Sequence, residues 1–229
     1  MTVGSNPRDS EQKGKIMSDA LSSKNLVPFG LRDILFGEYQ YNNQTGAITY
    51  ANQTVLGRGI TANFDLKFAE GRLYSSGALS RYKKKLTGGT ISLAVEALSL
   101  AVQASIFKAD TSEVDIGTTG SAKKITGIGY GENTRGRYVG IATYVPADDS
   151  GDTDAFICIF VRKAMFGPPS MAYQTENDSI QWTTPTTTGE FISPDRKSGT
   201  TAPLMMEIAE VDTETDALAW CKKQLQMTA

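Results

Sequence analysis

Four carboxylates crowd into one short stretch, ADDSGDTD: Asp148, Asp149, Asp152 and Asp154. Oxygen donors at that density suit calcium when they follow a twelve-residue ligand pattern closing on a glutamate. No glutamate closes this one, so it predicts a solvated hairpin tip or a negatively charged rim. Two glycine runs invite comparison with phosphate-binding loops. Gly127-Ile128-Gly129-Tyr130-Gly131 lacks the third glycine at the needed offset and leads into ENTRGRYVG, not into an amphipathic helix. The run from Gly117 to Lys123 misses the phosphate-loop spacing. Both predict flexible connections. Arg81-Tyr82-Lys83-Lys84-Lys85 is a basic run that could meet phosphate or an acidic neighbour. In a chain of formal net charge -2 it reads as a solvated helix or loop face.

Histidine is absent. That removes the Ser-His-Asp and Cys-His nucleophile systems, histidine-ligated zinc and the usual neutral-pH proton shuttle. No metal, cofactor or catalytic residue is expected, and the chain reads as a non-enzyme. The slightly acidic balance argues against a protein that grips nucleic acid by neutralising phosphates. It permits one that stays close to nucleic acid without sticking. Cys158 and Cys221 fall in an apolar strand and a helical pattern, and read as packed, reduced thiols.

The elements that would position these residues follow from periodicity. The chain has 229 residues, 40% of them hydrophobic, enough for one domain with a real core. Residues 1–25 are polar and aperiodic and read as an arm, with no secretory signal; residues 26–229 read as a single domain. No apolar run reaches membrane-spanning length. ITANFDLKF, residues 60–68, alternates: Ile60, Ala62, Phe64, Leu66 and Phe68 against Thr61, Asn63, Asp65 and Lys67. That is a half-buried strand. TISLAVEAL, residues 90–98, repeats the pattern. The polar, glycine-marked stretch between them predicts a long contact-making loop.

LSLAVQASIF, residues 98–107, switches to helical spacing. Strands follow at 137–145 and 155–162, the second apolar throughout, so both its faces should be covered. A further strand is expected at 179–187, with Trp182 in the core beside Phe160, Phe166 and Phe191. The C-terminal helix opens at Thr213 with Asp216 three residues on, resembling a capping box, and carries Leu218, Cys221 and Leu225 on one face. The sum is a mostly β, α+β chain: an antiparallel sandwich- or barrel-like domain with a flanking helix.

Four stretches, taken in order, resemble one family. GLRDILFGEYQY, GGTISLAVEALSLAVQASIF, GYGENTRGRYVGIATY and FVRKAMFGPPSMAYQTENDSIQWTTPTTTGEF are similar to successive segments of the major tail proteins, or tail-tube proteins, of long non-contractile-tailed bacteriophages. The likeness runs from about residue 28 to about residue 193 and leaves out the arm and the last helix. It implies a subunit of hexameric rings stacked into a tube, in the virion tail, assembled in the host cytoplasm. The implied partners are further copies of the chain and the tape-measure, tail-terminator and distal tail proteins. Double-stranded DNA would pass through transiently and non-specifically, and no membrane is involved.

On that implication Asn63, Asp65 and Lys67 are candidates for the wall of the lumen. Arg72, Arg81, Lys83, Lys84 and Lys85 are candidates for contacts between rings. Two rival readings remain: an all-β receptor- or carbohydrate-binding module with Trp182 or tyrosines as a platform, and a glycan-active enzyme with a carboxylate pair. A contractile-system or secretion-tube subunit would share the architecture.

Overall fold

Hydrogen-bonding registers define the molecule. The computed structural model describes residues 25–117, 123–132, 134–149, 153–173, 175 and 182–227. Among these residues, ten strands and two helices run in the order β1 (Leu26–Pro28), β2 (Asp33–Tyr41), β3 (Ile48–Ser75), β4 (Ala78–Val95), α1 (Leu100–Phe107), β5 (Asp110–Asp115), β6 (Lys124–Gly129), β7 (Tyr138–Asp149), β8 (Thr153–Phe166), β9 (Thr186–Ile192), β10 (Met206–Val211) and α2 (Glu214–Gln224). Every strand pairing is antiparallel. Six strands pair in a closed cycle, β7-β2-β3-β4-β9-β8 and back to β7. The cycle closes strand by strand, but β3 pairs β2 only up to Arg58 and β4 only from Gly59, so residues 61–67 have one paired edge among the described residues. β1 and β10 extend the sheet from β7 and β8, and β5 pairs β6 in a separate hairpin.

All six barrel strands send side chains into one cluster, so that cluster is the interior. Ile34 and Phe36 come from β2, Leu56 from β3, Ile91 and Leu93 from β4, Val139 and Ile141 from β7, Val161 and Phe166 from β8, and Phe191 from β9. α1 plugs one end with Val102, Ile106 and Phe107. Ser99 caps it by accepting from the Val102 N–H at 3.3 Å. A second cluster lies outside the barrel, where Ala217, Cys221 and Leu225 of α2 pack on Ala142, Tyr144, Phe156, Cys158 and Phe160. The continuous apolar run of β8 is thereby covered within one chain: Val161 and Phe166 face the interior, Cys158 and Phe160 face α2. Thr213 forms the N-cap, its hydroxyl accepting from the Asp216 N–H at 3.1 Å and donating to the Asp216 carboxylate at 2.7 Å, so the reciprocal backbone bond of a full capping box is replaced by a side-chain one.

Several expectations are corrected. Of the strand expected at 179–187, residues 179–181 lie outside the described residues, Trp182 to Pro185 are not in a strand, and β9 begins at Thr186, because proline cannot donate to a ladder and marks the strand's start instead. Trp182 therefore sits ahead of the strand and is 88% exposed, while Phe160, Phe166 and Phe191 are buried as expected. The stretch between residues 68 and 90 is a ladder, not a loop: β3 and β4 stay paired, across two register shifts, to Ser75↔Ala78. The glycine-rich connection contains the β5–β6 hairpin. The acidic tip is narrower than expected, since Asp148↔Asp154 and Asp149↔Thr153 still pair. The arm through residue 24, Asp152, and Thr118 to Ala122 of the second glycine run lie outside the described residues. Both cysteines are buried and free, and the Cys158 contact together with burial pushes the Cys221 thiol up. Among the described residues no helix is long and apolar enough to cross a membrane.

The plug helix is pinned by a buried carboxylate. Glu38 of β2, 8% exposed, accepts from Arg137 at 2.7 Å and from the Ser105 hydroxyl of α1 at 2.8 Å. The Arg137 N–H in turn donates to the Ile106 carbonyl at 2.9 Å. A charged hydrogen bond of this kind is worth about 2 kcal/mol. Glu38→Gln is expected to lower unfolding stability by about that amount, read from the midpoint of denaturant unfolding at unchanged slope.

Candidate functional site: a polar sheet face and a projecting ribbon

The outer surface of β3, β4 and β9 continues the alternation seen in the sequence. Cross-strand ranks place Asn63 by Ser92 and Thr188, and Asp65 by Thr90 and Glu190. The opposite side of the same strands, Phe64, Ile91, Leu93 and Phe191, belongs to the core. The result is a hydroxyl- and carboxylate-rich face with one cation, Lys67. Its ammonium is held by Glu190 at 2.6 Å. Asn63, Asp65 and Lys67 thus share one exposed face, as expected. Glu190, Thr90, Ser92 and Thr188 join them without having been singled out. The alternation in TTTGEFI could have found Glu190 once the strand was placed after Pro185.

Close packing behind that face depends on glycine. A Cβ on Gly89 would collide with the Asp65 carbonyl oxygen and the Phe191 ring. Any larger residue would separate β4 from its neighbours, so the face is tied to the core directly beneath it.

Beyond the barrel the β3–β4 ladder runs on alone. Past Gly88 neither strand pairs with anything else among the described residues. Eight further residues of β3, Phe68 to Ser75, reach about 26 Å at strand rise. The tip is a two-residue turn with Ser76 at φ 53° and Gly77 at φ 79°. Two positive φ values match the twist of a hairpin, and glycine adopts the second without strain. At the ribbon's root, Lys67 pairs Gly88 while Phe68 pairs Leu86, leaving Thr87 as a bulge. Its hydroxyl donates to the Lys67 carbonyl at 3.0 Å.

The bulge sorts the side chains. On β4 the odd residues Gly89, Ile91 and Leu93 pair with the core-facing residues of β3, whereas beyond Thr87 the even ones do: Leu86 pairs Phe68, Lys84 pairs Glu70 and Tyr82 pairs Arg72. Arg81, Lys83 and Lys85 therefore continue the polar face. The two ribbon faces differ in chemistry. On one, Glu70 binds Lys84 and Arg72, each at 3.4 Å, Lys84 lies over Phe68 and Arg72 over Tyr82. The Tyr82 hydroxyl, then Lys84 and Arg72, hold the Glu70 carboxyl below its ordinary pKa. On the other, Arg81, Lys83 and Lys85 stand opposite Leu73, Gly71 and Ala69 and have no ion-pair partner among the described residues. The five basic candidates thus separate into a self-paired set, Arg72 and Lys84, and an unpaired set. All five lie on strands, not on the helix or loop face expected of the basic run.

Leu66, Phe68, Leu73, Tyr74, Leu79 and Tyr82 are between 44% and 60% exposed along the ribbon. A two-stranded hairpin with no third element against it is marginal in water. Among the described residues no group of three or more His, Cys, Asp and Glu side chains is placed to hold a metal ion. No family model matches the chain, and no curated protein matches it.

In the lone subunit the amides of residues 68–87 are expected to exchange with deuterium far faster than those of β7 and β8, because the ribbon opens without opening the barrel. Hydrogen-exchange mass spectrometry of dilute protein reads this directly.

Proposed function

We propose that this chain is a structural subunit whose copies assemble around a hollow axis. The form that fits best is the tail tube of a long-tailed bacteriophage: hexameric rings, stacked, through which the genome travels. The observation that carries the reading is the ribbon, about 26 Å of paired strand with apolar side chains on both faces and no third strand or helix against it among the described residues. A segment like that is stable when neighbouring copies cover it. β8 adds no support, since α2 already covers its outer face.

The polar face supplies the wall of such a channel. Asn63, Asp65 and Lys67, joined by Glu190, line it. Glu190 neutralises Lys67, which leaves Asp65 as the net charge of the row. A duplex must slide past without releasing its counterions to protein cations, and a wall that is neutral to slightly negative meets that need. Arg72, Arg81, Lys83, Lys84 and Lys85 on the ribbon then serve contacts with neighbouring copies. In the virion the further partners are the tape-measure, terminator and distal tail proteins.

Concentrated purified protein in negative stain is expected to give rings or hollow rods. A lone subunit by sedimentation at every concentration would end this reading. Assembled tubes of the native chain are expected to leave a short DNA duplex unbound at low salt, while Asp65→Lys/Glu190→Lys tubes retain it; equal retention by both would remove this face from the lumen. One observation favours a second reading, a binding module: Trp182 and Tyr173 are 88% and 81% exposed. Glycan binding by the lone subunit, lost in Trp182→Ala, would establish it.

A further inference from the structure

At the end of β3 opposite the ribbon, two turns meet over a cavity of about 390 Å³. One is the β2–β3 turn, closed by the Gly46 N–H donating to the Asn42 carbonyl at 2.7 Å. The other lies in the strap that joins β9 to β10, residues 193–205. There the Thr200 N–H and hydroxyl both donate to the Lys197 carbonyl, at 3.2 and 2.7 Å. Gly46 lets the two turns approach, since a Cβ on it would stand 3.4 Å from the Lys197 Cβ. The polar link between them is long: the Lys197 ammonium donates to the Gln44 carbonyl at 3.4 Å.

The side chains around this cavity are of the kind that bind oxyanions. Arg162 comes from β8, Arg196 and Lys197 from the strap, and Thr45, Thr200 and Thr201 add hydroxyls. One carboxylate, Asp195, also lines it, but Lys163 of β8 binds that carboxylate and holds it below its ordinary pKa. Arg162 is bound through Nη2 by Glu207. Arg196 and Lys197 have no ion-pair partner among the described residues. The lining and its ion-pair partners therefore carry two positive charges in excess. A second observation is independent of charge. Among the described residues the Arg162 Nε is the one buried side-chain nitrogen or oxygen without a hydrogen-bond partner. Buried polar groups are normally satisfied, and a guanidinium N–H left open costs stability. The wall of the cavity is thus short of an acceptor as well as of negative charge.

We propose that this cavity binds phosphate, free or as a small phosphomonoester. A dianion matches the excess of two positive charges. Its tetrahedral oxygens suit two guanidinium groups, an ammonium and hydroxyl donors that converge from separate elements. A phosphate alone leaves part of the volume empty, which admits the organic part of an ester. The cavity is a recess between two turns, so it takes a single phosphate group rather than the row of phosphodiesters along a duplex. Once bound, the anion ties the strap to the β2–β3 turn. The polar face and the ribbon lie farther along β3, so phosphate binding here stands or falls apart from self-assembly.

The test titrates the full chain, in chloride buffer of fixed ionic strength, with inorganic phosphate and separately with glycerol phosphate, by isothermal calorimetry. The native chain is expected to bind with a Kd of about 1 mM or tighter. Arg196→Gln/Lys197→Gln removes two exposed cations and is expected to weaken binding about tenfold or more. Arg135→Gln/Lys223→Gln removes two exposed cations elsewhere and is expected to leave binding unchanged. In hydrogen exchange, phosphate is expected to slow residues 42–48 and 193–205 and nothing else. Tighter binding of the ester places its organic part in the cavity, and equal binding assigns the site to free phosphate. If the native chain binds neither anion, the site is overturned. If Arg196→Gln/Lys197→Gln binds as well as the native chain, or both double variants lose affinity equally, binding is a matter of surface charge and the site is overturned. If a short DNA duplex binds through Arg196 and Lys197 while phosphate does not, the patch is a nucleic-acid contact and the site is overturned as well.

Discussion

One antiparallel ladder, β3 against β4, holds the structure together and also leaves it unfinished. Its lower part, from Gly59↔Val95 to Lys67↔Gly88, is a wall of the closed barrel. There β4 pairs β9 on its other edge, Ile91 and Leu93 are buried, and the ladder is supported by the core beneath it. Its upper part has the same hydrogen bonds and none of the support. The stability of the upper part comes from turn geometry, from cross-strand contacts worth a few tenths of a kcal/mol to about 1 kcal/mol each, and from the salt-bridged cluster around Glu70. The contrast lies within one pair of strands. It identifies the ribbon as the least supported part of the described structure.

The single bulged residue at the junction decides what each face means. A continuous register would have put Arg81, Lys83 and Lys85 in line with Ile91 and Leu93, and Tyr82 and Lys84 in line with Thr90 and Ser92. Thr87 reverses this. An extra residue in one strand shifts the phase of everything beyond it and tightens the local twist. The aromatic and salt-bridged set then follows the core side of the sheet, and the unpaired cations follow the polar side. Thr87 suits the position because its hydroxyl satisfies the Lys67 carbonyl that the bulge would otherwise leave unpaired.

How much of this was legible in the sequence depended on whether one face of each element was polar. Residues 60–68 and 90–95 alternate cleanly because their outer side is solvated, and both were read as strands. Thr213 and Asp216 gave away α2 through local chemistry alone. β2 was invisible for the opposite reason: Ile34 and Phe36 face the interior while Leu35 faces α2, so no alternation survives. A Cβ on its Gly37 would sit 2.9 Å from the Tyr50 Cβ, a sign of close packing. The ribbon was read as a loop because both its faces are exposed and mixed. Its order comes from Ser76-Gly77 and from pairings that only the folded ladder reveals. Glu190, the residue that neutralises Lys67, was missed along with its strand.

Charge arithmetic over the whole chain hides this partition. A net charge of -2 suggests a nearly neutral surface, yet the folded chain gathers cations on the ribbon and carboxylates at the α2 N-terminus. Glu214 and Asp216 favour the helix dipole and stabilise the fold locally, and Asp216 also completes the Thr213 cap. Those local roles account for both carboxylates. Nothing comparable accounts for Arg81, Lys83 and Lys85, three cations on one face of the ribbon with no ion-pair partner among the described residues. Like charges held in a row repel, so the ribbon's cationic face is a second reason, besides its missing third layer, why the hairpin is the marginal part of the fold.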